Sequence, residues 1–355
     1  MGVIDALSPN TDPRTAARDA FAAALTRFDR SRPVLVLGHF DADGLSALAI
    51  LVRALRAAGW AAEPRIVGKG ETPWDADFGA GLGAPGGLIV TDLGTRAGTI
   101  LPGVPTVVID HHLPTGVPDA LTISGNGLTP EPTSALLAWW CAAALGDQAD
   151  LLWLAALGLI GDMADDAGFP ELAKAQARWG KTALKDAVAL VNAPRRTAAA
   201  DATPALNLLL TGDGPKAITK GESADAQALR DAKVEVREAV EAARRVAPAV
   251  RGDVALIRFA SPCQIHPLIA QQWRGRLKDK IVLAVNTGYR DGWVHFAARS
   301  ARGDNLVDFL AAHRPPGADS RYGSGHAQAT GGALRPADWN AFVSGLGFPE
   351  QQVPA

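Results

Sequence analysis

Thr106-Val107-Val108-Ile109-Asp110-His111-His112 is the stretch that decides the reading of this chain. Its first four residues are β-branched or apolar and too few for a helix, which predicts a short buried strand. An acid and two imidazoles then stand where that strand stops. Two other stretches have the same form. Val34-Leu35-Val36-Leu37 runs into Gly38-His39-Phe40-Asp41-Ala42-Asp43-Gly44, and Leu88-Ile89-Val90-Thr91 runs into Asp92. Taken singly, an Asp after a strand is an ordinary turn residue. Ligands of open parallel sheets bind outside the carboxyl ends of the strands. Three such ends bearing Asp and His would therefore gather several metal-binding side chains at one edge.

At 355 residues the chain has room for about two domains, and with 48% apolar residues it can bury a core in each. A net charge of -2 gives no overall attraction to a polyanion, so such a partner needs a local basic patch or metal ions. The two cysteines, Cys141 and Cys263, are far apart and fit neither a disulfide scaffold nor a zinc module. Met1 to Asn10 lacks the basic and apolar regions of a signal peptide, and Ala6 breaks the myristoylation pattern. The apolar run Leu151 to Ile160 is too short to span a bilayer. The expectation is a soluble cytoplasmic protein.

Periodicity predicts a helix over 12–29, a strand from 34, a helix over 45–58 stopped by Gly59, and a strand over 62–67. Residues 69–87 read as loop, 88–91 and 106–109 as strands, and 113–132 as mostly loop. From Thr133 only helices follow, over 133–145, 150–162, 170–192 and 201–210. This order suggests an α/β domain closed by a helical part. Residues 223–247 form a long amphipathic stretch with Leu229, Lys233, Val236, Val240 and Ala243 on one stripe, suited to bridge two domains. Strands return over 254–259, 281–285 and 293–297, the last two joined as a hairpin through Asp291-Gly292. A helix over 267–277 lies between the first two. A helix over 305–313, a glycine-rich loop over 321–332 and a closing helix over 336–346 complete the chain. The expected fold is α/β: a parallel-sheet N-terminal domain with a helical part (1–220), a linker helix (221–250) and a smaller α/β C-terminal domain (251–355).

His39-x-Asp41-x-Asp43 places two carboxylates where both can face one ion, in a tight loop before a helix. Carboxylate oxygens with imidazole nitrogen suit Mn²⁺, or Mg²⁺ with more waters, better than a thiol-seeking metal. No Glu closes a twelve-residue calcium loop. Asp92, His111 and a later acid, Asp162 in Gly161-Asp162-Met163, supply enough ligands for two ions. Two neighbouring metals are a device for in-line displacement at phosphorus. Arg195-Arg196 and Arg244-Arg245 read as solvated faces, and His266, His295 and His313 as structural or surface. Trp139, Trp140 and Trp153 read as core. Trp74, in a loop, is the candidate for stacking on a base.

These residues resemble the DHH phosphoesterases: Asp110-His111-His112, with His39-Phe40-Asp41-Ala42-Asp43-Gly44 upstream and Gly161-Asp162 downstream. Near the C-terminus, Gly323-Ser324-Gly325-His326 is similar to the GGGH loop of the DHHA1-type domain in the RecJ-like branch, and Arg299-Ser300 to the Arg-Ser that accompanies it. The four motifs occur in the family's order, from about 33 to 346. Ser324 replaces a glycine of that loop. His39 stands closer to Asp41 than in the oligoribonuclease and inorganic pyrophosphatase branches, which favours the RecJ-like branch. No strand-rich segment is left for an oligonucleotide-binding barrel.

The resemblance implies two Mn²⁺ held by Asp41, Asp43, Asp92, His111 and Asp162, with His39 a ligand or close neighbour. It implies that His112 contacts the scissile phosphate and that Asp110 orients the histidines. Arg299, Ser300, Gly323, Ser324, Gly325 and His326 would bind the substrate. The activity implied is a metal-dependent phosphodiesterase or exonuclease, cleaving single-stranded or short DNA or RNA in a cleft between domains. Two alternatives are hydrolysis of small nucleotides, such as dinucleotides, cyclic dinucleotides or nucleoside phosphates, and an inactive relative that binds nucleic acid.

Overall fold

The computed structural model describes residues 12–319 and 321–354, with the side chains of Ser324 and His326 outside the described set. The chain divides into two compact units. One comprises 1–195 and 200–231; the other comprises 196–199 and 232–355.

The first unit is built on five parallel strands, β1 (Val34–His39), β2 (Ala62–Val67), β3 (Gly87–Thr91), β4 (Thr106–Asp110) and β5 (Leu121–Ser124), in the order β2-β1-β3-β4-β5. Central strands of a parallel sheet are covered on both faces and so read as continuous apolar runs. In β1, Val34 and Val36 join the core beneath the helices, while Leu35 and Leu37 join a smaller cluster with Leu88, Val90 and Val108. Because β1 leads outward to β2 while β3 lies on its other side, the strand order reverses at the β1/β3 edge. That is where ligands bind in such sheets.

The helices of this unit are α1 (Pro13–Leu25), α2 (Ala42–Ala57), α3 (Ser134–Ala142), α4 (Leu152–Gly161), α5 (Pro170–Trp179), α6 (Lys181–Val191), α7 (Thr203–Thr211) and α8 (Pro215–Thr219). Asp41 caps α2, its Oδ1 accepting from Gly44 N at 3.1 Å. Thr133 caps α3, a contact worth about 1 kcal/mol. The helix α2 begins three residues earlier than its apolar pattern indicates, so Asp43 lies in its first turn and not in a loop. The segment 113–132 is not all loop: β5 pairs parallel with β4. The helix expected over 170–192 is broken at Gly180, whose φ of 89° ends α5.

A long helix, α9 (Ala224–Ala243), contains the boundary between the units, after Asp231. Its buried stripe is Ala226, Leu229, Ala232, Val240 and Ala243; Lys233, expected on that stripe, is exposed. No helix among the described residues is long and apolar enough to cross a membrane.

The second unit holds a six-stranded sheet: β6 (Ala249–Arg251), β7 (Val254–Phe259), β8 (Ile281–Arg290), β9 (Trp293–Ser300), β10 (Tyr322–His326) and β11 (Ala329–Leu334). Their order is β10-β11-β9-β8-β7-β6, with only β7 and β8 parallel. The helix α10 (His266–Arg276) lies against one face. Residues of α11 (Leu306–Ala312) and α12 (Pro336–Gly345) join the core of the other. The β8–β9 hairpin forms as expected. The glycine-rich segment after Arg321, expected as a loop, is itself a hairpin of β10 and β11. Gly325 has φ 132°, and a Cβ there would lie 2.6 Å from Ala329 O, so glycine is what lets this tight pair close.

Candidate metal centre

The carboxyl ends of β1, β3 and β4 converge as expected. His39 Nδ1 lies 3.0 Å from Asp41 Oδ2 and 3.7 Å from Asp92 Oδ2. His111 Nε2 lies 3.6 Å from Asp92 Oδ1, 3.9 Å from Asp43 Oδ2 and 3.2 Å from Asp162 Oδ2. His112 Nδ1 lies 3.7 Å from Asp92 Oδ1. Three groups of potential ligands result among the described residues: His39, Asp41 and Asp92; Asp43, His111 and Asp162; Asp92, His111 and His112. Within each group the ligand atoms lie within 4.8 Å of one another. Asp92 and His111 each belong to two groups, so the groups interlock.

Local structure explains how the acids are held. Asp43 is fully buried, and its two oxygens accept from the backbone N–H of Ser134 (2.8 Å) and Ala135 (2.9 Å), at the amino end of α3. A helix amino end favours a carboxylate. Asp92 adopts φ 59°, and Ser134 Oγ donates to it at 3.1 Å. Asp162 sits at the carboxyl end of α4, where the helix dipole disfavours negative charge, beside the His111 ring. Asp110 turns its carboxylate to the loops: it accepts from Gly94 N at 2.7 Å, His112 N at 2.7 Å and His112 Nδ1 at 3.0 Å.

The electrostatics are those of a site with too many acids. Burial, then repulsion from Asp92 and Asp162, pushes Asp43 well above the usual carboxylate range. Burial and the charge of Asp41 push Asp92 up to about 6. Burial opposes charge on His39 and His111, yet the surrounding carboxylates prevail and raise both to about 10. Asp41 is held well below the usual range: His39 and Arg195 outweigh its burial. His111 Nε2 is buried and makes no hydrogen bond, lying near Asp162 outside hydrogen-bond alignment. Surplus buried carboxylate, an orphaned imidazole nitrogen and no thiol fit oxygen-preferring divalent ions such as Mn²⁺ or Mg²⁺.

The sequence reading overlooked two contributors and misassigned a third. Arg195 is no solvated residue: NH1 donates to Asp41 Oδ2 at 3.0 Å. The backbone amides of Ser134 and Ala135 carry no residue-type signal. Trp74 is not a free stacking platform. Its ring packs on the cluster around Leu88, and Nε1 donates to Leu93 O and Gly94 O, each at 3.1 Å.

No protein-family model matches the chain. Over 249 residues it is 32% identical to the single-stranded-DNA-specific exonuclease RecJ of Thermus thermophilus, a match covering 58% of this chain and 36% of that protein. It therefore spans about a third of the length of the curated relative it matches. The structure of RecJ from Thermus thermophilus in complex with Mg²⁺ is 25% identical, with a TM-score of 0.61, 95% of this chain and 52% of that one being covered. A structure of exonuclease RecJ bound to manganese matches with a TM-score of 0.64 and 23% identity over 95% of both chains. The chain shares the fold of these RecJ structures and is similar in sequence to a RecJ-like DHH phosphoesterase.

In this RecJ-like chain the expected C-terminal residues all lie in the second unit. Arg299 NH1 donates to Ala298 O at 2.8 Å and Thr330 O at 3.2 Å. The Ser300 hydroxyl is taken up by Asp304 Oδ2 and by the N–H of Arg302, closing the turn after β9. Gly323 stands at a register shift in β10 with φ 77°. Ser324 and His326 occupy β10, and their side chains fall outside the described ones.

Proposed function

We propose that this chain is a divalent-metal-dependent phosphodiester hydrolase acting on single-stranded or short nucleic acid, with single-stranded DNA the first substrate to test. The observation that carries the reading is the interlocking of three ligand groups through Asp92 and His111. The activity of the Thermus relative supports the choice of substrate.

His39, Asp41 and Asp92 would hold one ion and Asp43, His111 and Asp162 the other, with Asp92 near both. Bound there, divalent ions supply a water of lowered pKa and neutralise charge on phosphoryl oxygens. The protein's own groups do the positioning. Asp110 binds Nδ1 of His112, which leaves Nε2 as the ring position that meets a phosphoryl oxygen. The same contact raises the basicity of His112. Arg195 holds the Asp41 carboxylate and limits the repulsion among the acids. We assign the metal-binding chemistry to 1–220 and contacts with the rest of the substrate to 251–355, through Arg299, Ser300, Gly323, Ser324, Gly325 and His326.

The test is hydrolysis of end-labelled DNA and RNA of graded length with Mn²⁺ or Mg²⁺. Cleavage that is lost in Asp110→Ala and His111→Ala is expected. Undiminished cleavage by both variants, or no turnover of any nucleic acid with either metal, overturns the reading.

A further inference from the structure

We propose that Trp74 is a positioning residue for the metal centre, its indole N–H fixing the loop that presents Asp92; the inference rests on the metal-binding reading above. Asp92, like His111, is common to two groups, and its backbone is held at φ 59°, a left-handed conformation that is strained for a residue with a side chain. Such a conformation persists only where its surroundings over-determine it. Here the restraints come from several sides. The N–H of Asp92 donates to Ile109 O at 3.2 Å. Asp110 accepts the N–H of Gly94 at 2.7 Å. Thr115 N donates to Thr95 O at 2.9 Å. The carbonyls of Leu93 and Gly94 are both taken by Trp74 Nε1.

Trp74 comes from the segment between β2 and β3, away from every motif quoted above. Its ring is seated on the apolar cluster that includes Leu35, Leu37, Val67, Leu88 and Val90. It thus ties the Asp92 loop to the underside of the sheet. Without that N–H, two successive carbonyls lose their donor, and the left-handed residue is free to relax. Asp92 belongs to one ion's group and its Oδ1 lies 3.6 Å from His111 Nε2 of the other's, so such relaxation weakens both ions together, whereas loss of Asp162 weakens only the ion held with Asp43 and His111.

The experiment is calorimetric titration of Mn²⁺ into apo wild type, Trp74→Phe, Asp162→Asn and a protein with benzothienylalanine at position 74, which keeps the ring's shape without its N–H. Unfolding midpoints of the metal-free proteins are recorded alongside. Outer partners of metal ligands typically contribute 10–100-fold in affinity. We expect about ten-fold weaker binding at both sites in the two position-74 variants, and selective weakening of one site in Asp162→Asn. Wild-type affinity at both sites in the benzothienylalanine protein overturns the proposal, as does a lowered midpoint with unchanged affinity. Absence of Mn²⁺ binding by wild type removes the metal centre itself, and the proposal with it.

Discussion

Gly158 offers a test of how tightly the acids are packed. It lies inside α4, where alanine would ordinarily gain about 1 kcal/mol of helix stability. A Cβ at this position, however, would sit 2.2 Å from Asp43 Oδ1, 2.5 Å from the Cβ of Ala135 and 3.1 Å from Thr133 Oγ1. None of these can give easily. Asp43 is pinned by two backbone donors, and the Cβ of Ala135 moves only with α3. Overpacking of this kind costs about 1–3 kcal/mol. Turning Asp43 aside also leaves a buried backbone N–H without its acceptor, about 1–3 kcal/mol. The clash outweighs propensity, and Gly158→Ala should destabilise the protein by about 2–4 kcal/mol. In a unit of this size that is a fall in midpoint of roughly 5–12 °C. Gly275→Ala in α10 is the internal control. Nothing lies within 4 Å of its built Cβ, so it should be neutral or stabilising by up to about 1 kcal/mol. Calorimetric and denaturant unfolding of the three proteins decides the matter. A Gly158→Ala protein as stable as wild type would refute the packing described around Asp43.

Other outcomes follow from the same geometry. In chelator, stability should fall as pH rises. His39 and His111 are raised above their ordinary 6.5 to about 10, so their contribution is complete below pH 6.5 and is lost as pH climbs through 10. Asp92, raised from 3.8 to about 6, acts in the same sense over its own lower range. Midpoints measured from pH 5 to 10 that rise instead would contradict these environments. Arg195→Ala leaves the half-buried Asp41 without its fixed cation, and should lower the stability of the chelated protein more than that of the Mn²⁺-saturated one, read as midpoint shifts in the two states. In the second unit, the buried Asn286 accepts from Ser261 N and Gly288 N and donates to Cys263 O. Asn286→Ala should cost more than about 2 kcal/mol in denaturant unfolding, because three backbone groups lose their partner.

Much of this was legible from residue type. The strands β1, β3 and β4 announce themselves as short apolar runs, and each ends in the Asp or His that reaches the candidate centre. The strand β5 escaped notice because Leu121-Thr122-Ile123-Ser124 is brief and lies among turn residues; only its pairing with β4 makes it a strand. The β10–β11 hairpin was hidden by glycines, which read as loop but here permit close strand approach. Arg195 was illegible for another reason. It is 154 residues from Asp41 in sequence, and no local pattern distinguishes an arginine that meets a carboxylate across the fold from one facing water. Trp74 has the same history: its place in a loop marked it as a candidate for stacking on a base, and long-range hydrogen bonds give it a partner.

The central claim is that Asp92 and His111 knit the strand-end ligands into a site for a pair of divalent ions. Anomalous diffraction from crystals grown with Mn²⁺ measures it directly. The account predicts two peaks about 3.5–4 Å apart, one against His39 and Asp41, the other against Asp43, His111 and Asp162, with Asp92 touching both. A single peak, or peaks remote from Asp92, would contradict it.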